Sequence, residues 1–386
     1  MRPITGYAMC SALGSTREAT LAALAEGRTG LAAPREAFAF PTTVGAVNGE
    51  LPDLPRELER YTTRMSRMAM LLVGQLEGPL AKMRARWRPD RIAVVLGTST
   101  AGAERTEVAY RAYLAGEGLP DDYHFWCQHT YGAILPVLKA LTGARGPGWV
   151  HSTACTSSAK PFGTARRLID AGLIDAAIVG GIDTLCAMTV RGFHSLGALS
   201  ATPCRPFSPG RDGTSIGEGG ALLIVERDGE GPALLEGVGE SSDAYHISAP
   251  HPEGAGAAAA IREALAQAGV GPESVDHVNA HGTGTRLNDT AESRAIAGVF
   301  GSGVPVVSTK GYTGHTLGAA GAVEAVMAIL AIEAGFVPGG LGLEALDPGI
   351  GLNLPRARTT GNFRRVLSNS FAFGGNNVSV LLRAPA

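Results

Sequence analysis

Short apolar runs alternate along the chain with longer amphipathic ones. "RIAVVLGT", "DAAIVGGID", "GALLIVE", "DHVNAHG" and "VPVVST" are rich in β-branched residues, and their lengths predict buried strands. "STREATLAALAEG" predicts a helix, with Ser15 and Glu18 as a capping box and Gly27 as its stop. "GAAAAIREALAQAG" and "LGAAGAVEAVMAILAIEAG" predict two more helices, the second apolar on all sides and therefore buried. Strand and helix in this alternation predict an α/β protein with mostly parallel sheets.

The pattern repeats. "VVLGTST" and "VNAHGTGT" are both strands ending in Gly-Thr-x-Thr. "WVHSTACTSSA" and "PVVSTKGYTGHT" are both strands ending in Ser-Thr, followed by a turn into a small-residue helix, and "IVGGID" with "NSFAFGGNN" makes a weaker third pair. Three pairs in one order predict a duplication, with halves 1–228 and 229–386.

Composition adds exclusions. The 386 residues are 45% hydrophobic, enough for one large or two closely packed cores. The formal net charge is -2 and no basic stripe exists, so nucleic acid is not an expected partner. The N-terminal "MRPITGYAMC" lacks the pattern of a secretory signal. No membrane span is expected: the uncharged "VLSNSFAFGGNNVSVLL" is full of Gly, Asn and Ser. The five cysteines are scattered without a CxxC pair, so neither a disulfide framework nor a metal site is expected, and a reducing cytoplasm fits.

One cysteine has special surroundings. In "GWVHSTACTSSAK" a strand ends just before Cys155, and the segment after it has helical spacing at Ala159, Phe162, Ala165, Leu168 and Ile169. Cys155 thus falls at a strand-to-helix elbow, where a helix N-terminus favours a thiolate, the nucleophile of acyl transfer. A buried structural cysteine is the plainer alternative, and it suffices for Cys10, Cys127, Cys186 and Cys204. Of nine histidines, His281 follows a strand end and His315 precedes the apolar helix, both flanked by glycines. Ligands of α/β sheets bind outside the carboxyl ends of strands, so three such elbows would open to one side. Lys310 adds a cation there, and Glu324, in the apolar helix, needs a partner if buried.

"TACTSS", "NAHGTGT", "STKGYTGH", "GAAGAVEA" and "NSFAFGGNN", with "CRPFSPGRDGTSIGEGGALLIVE" between them, together resemble the β-ketoacyl-acyl carrier protein synthases of the elongating type. The resemblance runs from "ITGYAMCSALG" to the C-terminus and implies the thiolase fold, two duplicated halves in five αβαβα layers, forming a dimer. It implies that Cys155 takes an acyl chain from a carrier protein as a thioester. Malonyl-carrier then loses carbon dioxide, and the enolate attacks that thioester. His281 and His315 would donate hydrogen bonds to the malonyl thioester oxygen, and Lys310 with Glu324 would be a supporting ion pair. Thr283 and Thr285 would hold the pantetheine arm. Phe373 would gate the acyl pocket, its N–H forming an oxyanion hole with that of Cys155. No free cofactor is implied, because phosphopantetheine arrives on the carrier.

Departures from the family's pattern are Gly284, Ser158, Ala372 and Asn376; Ala372 and Asn376 bear on acyl preference, and departures of this kind, with "GGIDTLCAMTVRGFHSLGALS", resemble secondary-metabolite synthases, including those making aryl polyenes. The acidic carrier implies a basic docking site, for which Arg60, Arg64 and Arg67 in "RYTTRMSRMAMLL" are the candidates. Chain extension in fatty acid or polyketide synthesis is the expected activity. The alternative is a non-catalytic chain-length subunit of a heterodimer, which resembles this family but lacks the nucleophilic cysteine. The dimer partner would be a second copy, a related ketosynthase or a chain-length subunit.

Overall fold

The computed structural model describes residues 1–385, and its centre is one ten-stranded sheet. In chain order the strands are β1 (Arg2–Cys10), β2 (Ile92–Gly97), β3 (Gly148–His151), β4 (Ala176–Asp183) and β5 (Gly219–Glu226). There follow β6 (Ala233–Ser242), β7 (His277–Asn279), β8 (Val306–Val307), β9 (Arg365–Phe371) and β10 (Asn376–Arg383). Read across the sheet the order is β8-β7-β9-β10-β6-β1-β5-β4-β2-β3.

That order is a duplication written in hydrogen bonds. From the centre outwards the first half runs β1-β5-β4-β2-β3 and the second β6-β10-β9-β7-β8, the same sequence of positions. Pair by pair the directions agree: β1/β5 and β6/β10 are antiparallel, as are β5/β4 and β10/β9. The pairs β4/β2 and β9/β7 are parallel, as are β2/β3 and β7/β8. The three sequence pairs noted above fall on β2 with β7, β3 with β8, and β4 with β9. The sheet is mixed, not mostly parallel. In each half one antiparallel strand (β5 or β10) is inserted between the first strand and the parallel trio, and such strands read from sequence like any other buried strand.

Alternation within single strands builds the layers. On β2, Ile92, Val94 and Leu96 pack outward against Met68, Leu72 and Leu76 of α2 (Arg64–Gln75) and its end, and against Val137 and Leu138 of α5 (Ile134–Thr142). Numbering counts α1 (Arg17–Glu26), α3 (Glu77–Arg86) and α4 (Ala103–Leu114) in chain order. Ala93 and Val95 of the same strand face the middle layer, α6 (Lys160–Asp170) and α10 (Ala320–Ala334). The second half is covered by α8 (Ala255–Ala268) and α9 (Arg286–Phe300), with Ile261, Leu265 and Ile296 on Val278 and Leu367. One further helix, α7 (Ala187–Ser195), lies between α6 and α8 in the chain.

The central helix explains its own composition. Leu317–Ala334 is apolar enough to cross a membrane by composition alone, but it is mostly buried inside the protein between the two half-sheets. At α1 the cap is Thr16, one residue later than the sequence reading placed it. Thr16 Oγ1 accepts from Ala19 N at 3.1 Å, leaving Ser15 outside, while Gly27 ends the helix at φ 69° as expected.

Candidate active site

Cys155 sits in a short 3-10 turn, Ala154–Thr156, directly after β3. Ala154 has φ 52°, a left-handed conformation that a non-glycine residue adopts only under constraint. The constraint is a knot of local bonds. Ser157 Oγ accepts from Thr153 N at 2.9 Å and donates to Ala154 O at 2.6 Å. The turn lies flat on the end of β2 because Gly97 has no side chain: a Cβ there would stand 2.1 Å from the carbonyl carbon of Ser157. Ser158 then ties the turn to the second half, its N–H donating to Gly318 O and its Oγ accepting from Ala322 N, both at 2.9 Å.

The second half brings two imidazoles to this sulfur. His315 Nε2 lies 2.9 Å from Cys155 Sγ. The ligand atoms of Cys155, His281 and His315 all lie within 4.8 Å of one another, and the two imidazole rings stand edge to face with centroids 5.3 Å apart. Lys310 is wholly buried behind them. Its Nζ donates to Glu324 Oε1 at 2.5 Å and to His281 O at 2.5 Å, and stands 3.2 Å from His281 Nδ1. An ammonium only donates, so His281 Nδ1 is the acceptor and its proton sits on Nε2, which faces the cavity.

Electrostatics set resting protonation. Burial, with Lys310 nearby, holds both His281 and His315 well below the ordinary imidazole range, so both are neutral. Burial pushes the Cys155 thiol up to about 12, against the pull of Lys310 and of a hydrogen bond from the Phe373 backbone N–H. The expected thiolate at rest is therefore corrected. Helix α6 does not begin until Lys160, five residues beyond the sulfur, and desolvation outweighs what its N-terminus can offer. Burial likewise raises Glu324 to about 7 while Lys310 pulls it down.

The cavity, about 450 Å³, is lined by Cys155, His281, His315, Thr283, Thr285 and Phe373 among others. Thr283 Oγ1 and Thr285 Oγ1 are 2.9 Å apart. Phe373 is 38% exposed and stacks on Phe193 of α7, centroids 5.7 Å apart. The structure thus brings together every catalytic and substrate-binding candidate singled out from the sequence.

It does not bring the arginines. None of Arg60, Arg64 and Arg67 lines this cavity. Arg64 is turned inward: its guanidinium makes a two-pronged bond to Glu218 at 2.5 and 2.8 Å and donates to Val47 O at 2.8 Å. The Glu218 side chain is 2% exposed, so Arg64 neutralises a buried carboxylate and is not a free docking cation. Arg67 is bonded to Leu51 O, Pro52 O and Asp53, and exposed Arg60 donates to Cys127 Sγ at 3.1 Å.

Three carboxylates that sequence reasoning passed over hold the site in shape. Glu292 of α9 accepts the backbone N–H of His281 at 2.8 Å and of Gly282 at 2.7 Å. Asp289, one turn earlier, accepts from Gly284 N at 3.2 Å and Phe207 N at 2.7 Å. Asp183, at the end of β4, binds Ser99 N, Thr100 N and the hydroxyls of Thr98, Ser99 and Thr100. It also accepts Gly318 N at 2.6 Å, three residues past His315, and so joins the two halves. A signal existed for the α9 pair: Asp289 and Glu292 share a helical face with apolar Ile296.

Residues 3–230 match the family profile described as Beta-ketoacyl synthase, N-terminal domain, and residues 232–344 match Beta-ketoacyl synthase, C-terminal domain. The 3-oxoacyl-acyl-carrier-protein synthase 2 of Mycobacterium tuberculosis is 33% identical, over 98% of this chain and 95% of that protein. A ketosynthase of Xenorhabdus doucetiae, ApeO, solved in complex with its chain length factor ApeC, superposes with a TM-score of 0.95 at 38% identity, covering 100% of this chain and 98% of that one. The ishigamide ketosynthase/chain length factor superposes at 0.92 with 28% identity, covering 100% and 99%.

Proposed function

The chain belongs to the β-ketoacyl synthase family, and from that premise we propose that it extends carrier-bound acyl chains by two carbons through decarboxylative condensation with malonyl-carrier. The observation that carries this reading is the 2.9 Å contact of Cys155 Sγ with His315 Nε2, residues from different halves, beside His281 and the buried Lys310–Glu324 pair.

In the first stage Cys155 Sγ attacks the thioester carbon of an acyl-carrier. The Lys310 charge and the Phe373 N–H support sulfur as it loses its proton, which leaves with the departing pantetheine thiol. The oxyanion rests on the N–H groups of Cys155 and Phe373. In the second stage malonyl-carrier occupies the cavity and its carboxylate leaves as carbon dioxide. The enolate oxygen is held by His281 Nε2–H and His315 Nε2–H. Neutral donors suffice, in agreement with the burial that keeps both rings uncharged. The enolate carbon attacks the Cys155 thioester and sulfur departs, ready for another cycle. Lys310 fixes the His281 tautomer, Glu324 balances Lys310, Thr283 and Thr285 hold the pantetheine arm, and Phe373 gates the acyl side.

The substrate is an acyl carrier protein and no free cofactor is required. The reading places the chain in the cytoplasm, as a dimer with a second copy, a related ketosynthase or a chain-length subunit; the complex of ApeO with its chain length factor supports the last. It divides the chain into halves 1–228 and 229–386, supported by the strand-for-strand correspondence across the sheet. A non-catalytic subunit is disfavoured because it would have no use for a strained turn aimed at two imidazoles. Intact-mass measurement of the carrier after mixing acyl-carrier, malonyl-carrier and this protein, with its partner subunit where one is needed, tests the proposal. A β-ketoacyl-carrier two carbons longer is expected; recovery of unchanged substrates with every acyl chain offered would overturn it.

A further inference from the structure

The segment from His281 to Leu287 climbs out of the protein. His281 is 2% exposed, Thr283 8%, Thr285 half-buried, Arg286 exposed, and Leu287 66% exposed, and all five line the cavity that holds Cys155. Under the ketosynthase reading, on which this inference rests, the substrate arm enters along the same line, thioester at the imidazoles and amides at the threonines. The outer end of that arm is a phosphodiester, its one charged group.

Arg286 is the one lysine or arginine in the cavity lining. The two acidic side chains of the lining are already engaged: Asp243 accepts from Asn377 Nδ2 at 2.8 Å and His251 N at 2.9 Å, and Asp212 accepts from Ser200 Oγ at 2.7 Å. Asp347, whose carboxyl Arg286 helps to hold low, is bonded to Arg211 Nη1 at 2.6 Å and Gly349 N at 2.9 Å. Among the described residues Arg286 makes no ion pair, so its guanidinium is free to meet an anion at the mouth. We propose that Arg286 binds the phosphate of the phosphopantetheine arm. A guanidinium suits this because it can grip two phosphate oxygens at once.

The test compares malonyl-phosphopantetheine with malonyl-pantetheine, which lacks only the phosphate, and uses neither carrier nor docking surface. The native protein should show the lower KM for the phosphorylated arm. Arg286→Ala should raise that KM about tenfold, to the value for the bare arm, with kcat unchanged, as expected for loss of one charge-assisted contact. Arg286→Lys should restore part of it. Equal KM values in the native protein, an equal rise on both arms, or an effect seen only with intact carrier protein would each overturn the assignment. Failure of the native protein to process any malonyl thioester, carrier-bound included, would instead remove the ketosynthase reading beneath it.

Discussion

Glu292 accepts the backbone N–H of His281 at 2.8 Å and that of Gly282 at 2.7 Å, so a catalytic imidazole is positioned by a carboxylate on a neighbouring helix. Removing that grip should move His281 without touching Cys155. Glu292→Ala is expected to lower condensation about 100-fold, the typical effect of a displacement of about 1 Å at a reacting centre. Acyl loading onto Cys155 should stay near native. Glu292→Gln, which keeps one acceptor oxygen, should recover part of the rate. Equal losses in loading and condensation would contradict this positioning role.

Lys310 and Glu324 are each almost wholly buried and 2.5 Å apart. Lys310→Met alone leaves a carboxyl without its partner and should cost about 3–5 kcal/mol of stability. Adding Glu324→Leu removes the stranded carboxyl and should return most of that stability. Condensation should stay lost in the double variant, because nothing then fixes the proton on His281 Nε2. Denaturant titration beside a condensation assay separates the two effects. A stable double variant that condenses at the native rate would refute the tautomer role.

His277 gives a pH prediction away from the chemistry. Burial lowers its pKa from 6.5 to about 4, and its Nδ1 lies 3.0 Å from Pro305 O. The folded state favours neutral His277, so this contribution is fully present above pH 6.5 and is lost as pH falls toward 4, amounting to about 3 kcal/mol. His277→Asn keeps a donor toward Pro305 O and does not titrate. Its stability should fall less than the native protein's between pH 6.5 and 4. Parallel pH profiles for the two proteins would count against it.

Arg64 is expected to behave as a structural residue. Arg64→Glu would set a second carboxylate against Glu218, whose side chain is 2% exposed, and should cost about 2–4 kcal/mol, reduced by the partial exposure of Arg64 itself. Activity should fall alike on carrier-bound and small thioester substrates, following the loss of folded protein. A stable variant with a raised KM for carrier substrates alone would restore Arg64 to the docking surface.

The strands and the small-residue elbows were legible because both are local. β-Branched runs bounded by glycine announce buried strands, and the repeat of "GTST" with "GTGT" announced β2 and β7 as counterparts before their shared place in the sheet was visible. Cys155, His281 and Lys310 were legible because each closely follows the end of such a strand, and His315 because it precedes the apolar helix. The rest depended on distance. Glu292 reads as an ordinary helix residue until α9 packs beneath the His281 loop, and Asp183 reads as a strand end until Gly318 arrives from the other half. Arg64 looked like a surface cation because nothing in its neighbourhood shows Glu218, 154 residues away. The resting thiol of Cys155 was hidden for the same reason: its protonation follows from how completely the assembled halves exclude water.

Mass spectrometry of the protein after exposure to acyl-carrier thioesters, followed by addition of malonyl-carrier, tests the division of labour at the centre of the site. Native protein should gain one acyl mass on the peptide bearing Cys155, then lose it as extended product. Cys155→Ala should gain none, and His315→Ala should load the acyl group and hold it without condensing. Loading of Cys155→Ala, or failure of His315→Ala to load while it still decarboxylates malonyl-carrier, would contradict the assigned roles.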